Sequence, residues 1–313
     1  MKAAIVEQLG HTPVYGDFAD PVAGPDEALV RVTPSALSQL ARGRAAGRHY
    51  SATGGFPLVA GVDGTGRLED GTRVYFLLPR APFGAMAERT VVPEGQWLTL
   101  PDTLDEVTAA VIANPGMSSW AALTKRARLV AGEAVLINGA TGASGRLAVR
   151  IARHLGAGRV IATGRNEAVL RAVGADVAVP LGEDEGAFEI VISEHFAAGI
   201  DVVLDYLWGP SARSILVAGA KAARSGVPIR FVQIGSAGGT DIALPAAVLR
   251  SSAIEMMGSG LGSVGLPQLV GTINGVFQAA AQASLTFDHA AVPLAQVTAT
   301  WTNAGQRIVY LPN

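Results

Sequence analysis

A strand–loop–helix segment in the middle of the chain constrains its fold most strongly. Ala134–Asn138 (AVLIN) is a continuous apolar run, which is typical of a strand buried on both faces of a sheet. The glycine-rich segment GATGASG, residues 139–145, follows directly, and apolar residues then recur at four-residue spacing from Leu147 to Leu155. A strand that turns into a helix through glycines predicts a parallel α/β sheet.

Further apolar segments downstream repeat this pattern. They are RVIATG (159–164), DVAVP (176–180), DVVLDY (201–206), IRFVQIG (229–235) and IEMM (254–257). Helical segments fit between them, for example SARSILVAGAKAA at 211–223. Together with AVLIN, these segments predict a doubly wound, dinucleotide-type sheet of six parallel strands.

The first part of the chain has a different pattern of residue types. Short runs rich in β-branched and aromatic residues alternate with Gly, Pro and Asp, as in EALVRVTP, GTRVYFLL and AERTVVP. The tail returns to short β-like pieces, AAVPLAQV and QRIVYLP. For 313 residues we expect about two domains. We predict a β domain over residues 1–115, completed by 286–313, and a dinucleotide-binding domain over 116–285.

Composition excludes several classes of protein. The formal charge is −2 without a run of Lys or Arg, which argues against nucleic acid as a partner. The chain has no Cys, so disulfides, thiolate zinc sites and iron–sulfur clusters are excluded. Met256–Phe287 has no charged residue, but its six glycines and polar side chains make it a poor lipid-facing helix. We therefore predict a cytoplasmic protein without a membrane partner, in which this segment forms a Gly-rich loop and a buried or interfacial helix.

The glycine-rich loop is the strongest candidate for a binding site. A helix that starts directly after a strand directs its unpaired N–H groups and its positive dipole end at the loop, and glycines allow a pyrophosphate to approach the backbone. The spacing is G-x-x-G-x-x-G rather than G-x-G-x-x-G, and the alternative interpretation is a simple turn. The candidate cofactor contacts here are Asn138, Gly139, Thr141, Gly142, Ala143, Ser144 and Gly145.

The end of the second strand predicts which dinucleotide binds. An NAD site generally has an acidic residue about 20 residues past the loop to hold the ribose 2′-hydroxyl. This chain has no acidic residue between Gly145 and Glu167, and the strand ends instead in Gly164, Arg165 and Asn166. A guanidinium pairs with a 2′-phosphate, so we predict NADPH with Arg165 as the main selector. The alternative is that Arg165 is a solvated loop residue.

Two later strand ends supply further candidates. In a doubly wound sheet, ligands bind at the carboxyl ends of the strands. Gly235 and Ser236 lie at the end of the fifth predicted strand, and Gly258 and Ser259 follow the sixth. We predict that these residues also contact the cofactor.

At the level of motifs, the chain resembles the medium-chain dehydrogenase/reductase superfamily, in particular its zinc-independent quinone oxidoreductase branch. The segments that carry the resemblance are MKAAIVEQLG, PLVAGVDGTG, GTRVYFLL, GAMAERTVVP, AAVIANPGMSSWAAL, GATGASG, VQIGSAGG and GQRIVYLP, which span essentially the whole chain. The resemblance implies an α/β protein in which a GroES-like β domain precedes a Rossmann domain with a six-stranded parallel sheet. It also implies a homodimer joined through the sixth strands.

The resemblance also indicates which chemistry to expect. Ser38 lies near the first zinc-ligand position of the family's alcohol dehydrogenases, and GVDG (61–64) replaces their His-containing segment. The five histidines show no ligand spacing, so we predict no metal site. Without a Lewis acid, the acceptor has to be activated already, as a quinone or an α,β-unsaturated carbonyl is.

Individual roles follow from the resemblance too. Tyr50 lies near a family tyrosine that faces the acceptor, as a proton donor or as a residue held by packing. Ser118 and Ser119 fall where a family threonine lies near the nicotinamide, with helix N-capping as the alternative. Arg307 matches a basic residue of the closing strand that reaches the cofactor phosphates.

Two other functions are compatible with this sequence. An enoyl-thioester reductase would need basic residues for a carrier phosphate, for which Arg42, Arg44 and Arg48 are candidates. A relative that binds NADPH without turnover, as the lens crystallins of this family do, is the second alternative. NADPH oxidation with quinones and with a crotonyl thioester separates all three.

Overall fold

A computed structural model describes residues 1–52, 55–303 and 306–312. Contacts divide the chain into two units. The first comprises Met1–Asn114, Leu266–Ala280 and Thr286–Asn313, and the second comprises Pro115–Gly265 and Ala281–Leu285. Ala304, Gly305 and Asn313, which fall in the predicted closing segment 286–313, lie outside the described residues.

The first unit begins with antiparallel strands. Its strands in this part are β1 (Lys2–Val6), β2 (Val14–Asp17), β3 (Glu27–Val32), β4 (Ser35–Ala36), β5 (Leu58–Val59), β6 (Asp63–Arg67), β7 (Arg73–Leu77), β8 (Arg89–Pro93) and β9 (Trp97–Thr99), with helix α1 (Gln39–Ala45) between β4 and β5. The strand orders are β8-β3-β6-β7-β9 and β2-β1-β5. The Ser38 hydroxyl caps α1 by accepting from the Ala41 N–H.

The second unit contains the parallel sheet. Helix α2 (Glu106–Ala121) begins in the first unit, continues into the second from Pro115, and is followed by a π-helical turn over Ala122–Arg126. The strands are β10 (Ala134–Asn138), β11 (Arg159–Gly164), β12 (Val177–Pro180), β13 (Val202–Asp205), β14 (Ile229–Gln233) and β15 (Ile254–Gly258). The helices are α3 (Ala143–His154), α4 (Glu167–Ala172), α5 (Glu185–Ala198), α6 (Gly209–Ala222) and α7 (Ala246–Arg250).

The sheet confirms the predicted fold class. Its order is β12-β11-β10-β13-β14-β15, with every described pair parallel. All five residues of β10 are buried, as the apolar run predicts for a strand covered on both faces. Because parallel strands point the same way, the carboxyl ends of β10, β11, β13, β14 and β15 lie along one edge of the sheet.

The C-terminal part returns to the first unit. Helix α8 (Leu266–Ala279) is followed by β16 (His289–Pro293), a short 3₁₀ turn, α9 (Val297–Thr300) and β17 (Arg307–Leu311). Strand β17 pairs parallel with β16 and antiparallel with β4. Among the described residues, no helix combines the length and apolar character that crossing a membrane requires. The uncharged segment is thus split between β15, a Gly-rich turn and α8.

Helix α8 departs from the predicted boundary at residue 285. The Phe277 ring packs edge-on against Tyr75, with the ring centroids 5.5 Å apart. Six residues of α8 are buried, Leu269, Thr272, Ile273, Val276, Phe277 and Ala279. Its apolar face therefore associates with the β strands of the first unit, although the helix follows the last strand of the parallel sheet in sequence.

Candidate functional site

The glycine-rich loop joins β10 to α3 through close backbone contacts. Gly139 has φ +95°, a conformation that side chains rarely adopt. A Cβ atom on Gly145 would lie 2.3 Å from the Gly139 carbonyl oxygen and 2.6 Å from the Ala140 Cα. Both distances are too short for real atoms, so the first turn of α3 approaches the loop only because residue 145 is glycine.

The start of α3 leaves N–H groups available for an anion. Gly142 is the N-cap and offers no side-chain acceptor to the first turn, and the turn contains no acidic residue. Gly142 is exposed, whereas Thr141, Ala143 and Ser144 are half-buried. A Cβ on Gly142 would meet only the Gly139 carbonyl oxygen, at 3.7 Å, so the space beside the loop is open. These features fit the diphosphate of a dinucleotide.

Asn138 lies at the base of this loop and is fully buried. Its Nδ2 donates to Asp205 Oδ1 (2.8 Å) and to the Ser211 hydroxyl (2.9 Å), and its Oδ1 accepts from the Thr163 hydroxyl (2.7 Å). The side chain therefore ties together the ends of β10, β11 and β13. Both amide protons of Asn138 are used within the protein, so its side chain positions the loop. Its contact with the cofactor stays a prediction.

Asp205 completes that network from β13. It is fully buried, and burial raises the pKa of its carboxyl group. Its oxygens accept from the backbone N–H groups of Leu207 and Trp208 at 3.1 Å, in addition to Asn138. These bonds favour the charged form and offset part of the desolvation cost. Asp205 thus fixes the turn after β13.

A second buried network connects α2 with the loop. The Ser119 hydroxyl lies 2.8 Å from the Tyr206 hydroxyl and 3.1 Å from the Ser144 carbonyl oxygen. Burial raises the pKa of the Tyr206 phenol, which stays neutral and can donate to Ser119. The sequence did not single out this tyrosine, although its place directly after β13, at the carboxyl edge, was a signal.

The position of Ser118 and Ser119 excludes one of the predicted alternatives. Both lie inside α2, close to its C-terminal end, and not at an N-cap. The Ser118 hydroxyl donates to the carbonyl oxygen of Pro115, one turn earlier, at 2.9 Å. The N-capping interpretation is wrong, because the helix starts twelve residues before Ser118, at Glu106.

The end of β11 presents an exposed cation. Gly164 approaches Thr141 so closely that a Cβ would lie 2.4 Å from the Thr141 Cγ2. The Arg165 side chain is exposed and makes no hydrogen bond or ion pair to any residue that the structure describes. Asn166 caps α4 by accepting from the Val169 N–H at 3.1 Å. The first acidic residue, Glu167, is paired with Arg171 at 2.5 Å, so Arg165 is left available for an anion.

The last two strand ends lie on the same edge of the sheet. A Cβ on Gly235 would lie 2.6 Å from the Tyr206 carbonyl oxygen, and Ser236 is exposed. Gly258 accepts from Arg126 Nε at 2.7 Å, and the Ser259 N–H donates to the Gln233 carbonyl oxygen at 2.8 Å. The structure therefore places these predicted residues along the same edge as the loop and Arg165.

Two of the residues predicted for the functional site, Tyr50 and Arg307, belong to the first unit. Tyr50 is 72% exposed and its ring lies on that of His49, with centroids 4.2 Å apart. Arg307 is in β17, where burial lowers the pKa of its guanidinium and the Asp63 carboxylate raises it. Arg307 thus has a counter-charge inside the first unit, and its contact with the cofactor phosphates stays a prediction.

Asp63 forms a buried polar cluster with Tyr75 and Arg307. The Tyr75 hydroxyl donates to Asp63 Oδ2 at 2.9 Å, and both residues are about 1% exposed. Asp63 Oδ1 and the Nε and Nη2 of Arg307 are buried without a hydrogen-bond partner among the described residues. Burial raises the pKa of Asp63 to about 6, and the charge of Arg307 and the bond from Tyr75 limit the rise.

This raised pKa predicts a pH dependence of stability. The folded carboxyl group binds its proton below about pH 6, and the unfolded one only below 3.8. The folded state therefore holds more protons between these values, and the free energy of unfolding falls as the pH rises through them. We expect the wild type to lose about 2 kcal/mol relative to Asp63→Asn between pH 4 and pH 7, as measured by urea unfolding. Parallel stability curves for the two proteins would contradict this assignment.

Comparisons with known proteins identify similar quinone oxidoreductases. A probable NADPH-dependent quinone reductase of Emericella nidulans is 30% identical over 359 aligned positions, which cover both chains completely. A quinone oxidoreductase of Thermus thermophilus, solved also with NADPH, has a TM-score of 0.81 and 26% identity over 99% of this chain and 100% of its own. A mycobacterial quinone oxidoreductase has a TM-score of 0.84 at 20% identity, with complete coverage of both chains. No model of a protein family matches the chain.

Proposed function

Since this chain belongs to the quinone oxidoreductase-like branch of the medium-chain dehydrogenase/reductase superfamily, we propose that it is an NADPH-dependent reductase that transfers hydride to a quinone or to an α,β-unsaturated carbonyl. The observation that carries the proposal is the combination at one sheet edge of an open helix N-terminus and an arginine unpaired among the described residues. The first suits a diphosphate, and the second suits the additional 2′-phosphate of NADPH.

The described residues of the second unit bind and orient the cofactor. The N–H groups at the start of α3 hold the diphosphate, and Arg165 pairs with the 2′-phosphate. Asn138 and Asp205 fix the loop from below, and Ser119 ties its Ser144 carbonyl to α2. NADPH, when bound, supplies the hydride. Gly235, Ser236, Gly258 and Ser259 are proposed to line the rest of the cofactor site.

The class of electron acceptor follows from the side chains that the chain offers as metal ligands. There is no Cys, and the segment that would carry a zinc-binding His reads Gly61-Val62-Asp63. The Asp63 carboxylate is already engaged by Tyr75. We propose that the enzyme works without zinc on acceptors that need no Lewis acid, with positioning and exclusion of water as the main contributions of the protein. Tyr50 is proposed as the proton donor to the acceptor oxygen.

Acceptor-dependent oxidation of NADPH tests this function. We expect protein-dependent loss of absorbance at 340 nm with 9,10-phenanthrenequinone or 1,4-benzoquinone, above a blank without protein, and little with NADH. Turnover of a crotonyl thioester alone would instead establish the enoyl-thioester reductase. Binding of NADPH without turnover of any acceptor would identify a non-catalytic relative.

The assembly and the location remain proposals. We propose a homodimer in which β15 of two copies meet, because β15 is the outermost strand of the sheet and pairs with β14 alone among the described strands. Met256 in this strand is 37% exposed. Sedimentation velocity showing only monomer at micromolar concentration would exclude it. A cytoplasmic location stays a prediction from the sequence.

A further inference from the structure

The first unit contains a cavity of about 300 Å³ that the proposed cofactor site does not use. It lies between α1, the segment 58–62 and the loop 79–83. This volume is at the lower end of the roughly 300–1,000 Å³ typical of small-molecule sites. The cavity could therefore hold a compact ligand.

Small apolar groups form most of the cavity wall. Ala41 and Ala45 line it from α1, Leu58 and Val62 from the segment 58–62, and Pro82 and Phe83 from the loop. Such a lining favours a flat or branched hydrocarbon body. With one exception, the described lining residues have no polar side chain that could satisfy a polar ligand.

The exception is Arg44, which also lines the cavity. Its side chain makes no hydrogen bond or ion pair with any residue that the structure describes. Burial alone lowers the pKa of this guanidinium, without an offsetting contribution from a described carboxylate. Burial and the charge of Arg44 both lower the pKa of the nearby His49. The cavity thus has one cationic wall without a counter-ion in the described part of the chain.

The neighbouring arginines differ from Arg44. Arg42 donates to the Asn303 carbonyl oxygen at 2.6 Å, and Arg48 is exposed. Neither lines the cavity. A half-buried cation without a partner carries a desolvation cost that an anionic ligand would offset.

We propose that this cavity binds a small organic carboxylate, whose apolar body packs against the alanines, prolines and Phe83 and whose carboxylate pairs with Arg44. One planar guanidinium matches one carboxylate through two parallel hydrogen bonds. A phosphate dianion would find no second cation among the described lining residues, which argues against Arg44 as a contact for the carrier phosphate of the enoyl-thioester alternative. The site does not depend on NADPH, and the proposal stands apart from the proposed function.

Calorimetric titration of the full chain without NADPH tests the proposal. The probes are 2-naphthoate and its uncharged analogue 2-naphthamide, which share one apolar body. We expect 2-naphthoate to bind about tenfold to a hundredfold more tightly than 2-naphthamide. Equal affinities, or no binding of either probe, would overturn the proposal.

Two variants assign the effect to Arg44. Arg44→Met keeps the length of the side chain and removes the charge, so it should reduce the affinity for 2-naphthoate to that for 2-naphthamide. Arg48→Met removes the same charge from an exposed position on the same segment and should bind both probes as the wild type does. Equal losses in the two variants would show a general charge effect, which contradicts the proposal. Arg44→Lys, with an intermediate affinity expected, keeps the test valid if Arg44→Met proves unstable.

Discussion

Arg165→Ala is expected to weaken NADPH binding by about tenfold to a hundredfold and to leave the affinity for NADH nearly unchanged. A charge-assisted pair of this kind contributes about 1.5–3 kcal/mol, and each 1.4 kcal/mol corresponds to a factor of ten. Because Arg165 is exposed and unpaired among the described residues, its removal breaks no internal contact there. Fluorescence titration with both nucleotides measures the two dissociation constants.

A matched control separates the local effect from the loss of net charge. Arg250 is exposed as well, and it precedes β15, whereas Arg165 follows β11. In a parallel sheet these positions lie at opposite edges, so Arg250→Ala should leave the preference for NADPH unchanged. If Arg165→Ala retained the wild-type ratio of NADPH to NADH affinities, Arg165 would have no part in selecting the cofactor.

Gly145→Ala is expected to abolish measurable NADPH binding and to destabilise the protein by about 1–3 kcal/mol. The added Cβ would lie 2.3 Å from the Gly139 carbonyl oxygen, which is backbone and cannot rotate away. The loop would have to shift against the bonds that Asn138 and Thr163 make beneath it. Calorimetric titration with NADPH and thermal unfolding measure the two effects.

Gly142→Ala serves as the control for this substitution. Its Cβ would meet the Gly139 carbonyl oxygen at an ordinary 3.7 Å, and residue 142 has φ −80°, which alanine adopts freely. The melting temperature of Gly142→Ala should therefore stay close to that of the wild type. If Gly145→Ala also retained wild-type stability and affinity, the close approach of loop and helix would not be needed for binding.

The parallel sheet was predictable because its strands are recognisable one by one. AVLIN and RVIATG coincide with β10 and β11 at both ends. Strands buried on both faces are apolar along most of their length, so their limits are visible in the chain without knowledge of their neighbours. The glycine-rich loop was recognisable too, because its glycines lie close together in the sequence and follow directly after a recognisable strand.

Helix α2 shows where local patterns fail. Pro115 lies inside this helix, and the serines that follow it were open to an N-cap interpretation. The Ser119 hydroxyl instead meets Tyr206, 87 residues later in the chain. A hydrogen bond between a hydroxyl group and a side chain distant in sequence cannot be predicted from the spacing of the residues around the hydroxyl.

The sequence by itself determined the α/β class, the six parallel strands and the absence of a carboxylate at the end of β11. The tertiary structure decided that Asn138 supports the loop from within, that α8 packs with the first unit, and that Asp63 and Arg307 share one buried cluster. It also decided that Arg44, unlike Arg42, has no partner among the described residues and lies beside a cavity. The division has one physical cause. Secondary structure and loop glycines follow from local backbone preferences, whereas burial and the pairing of polar groups depend on residues that only folding brings together.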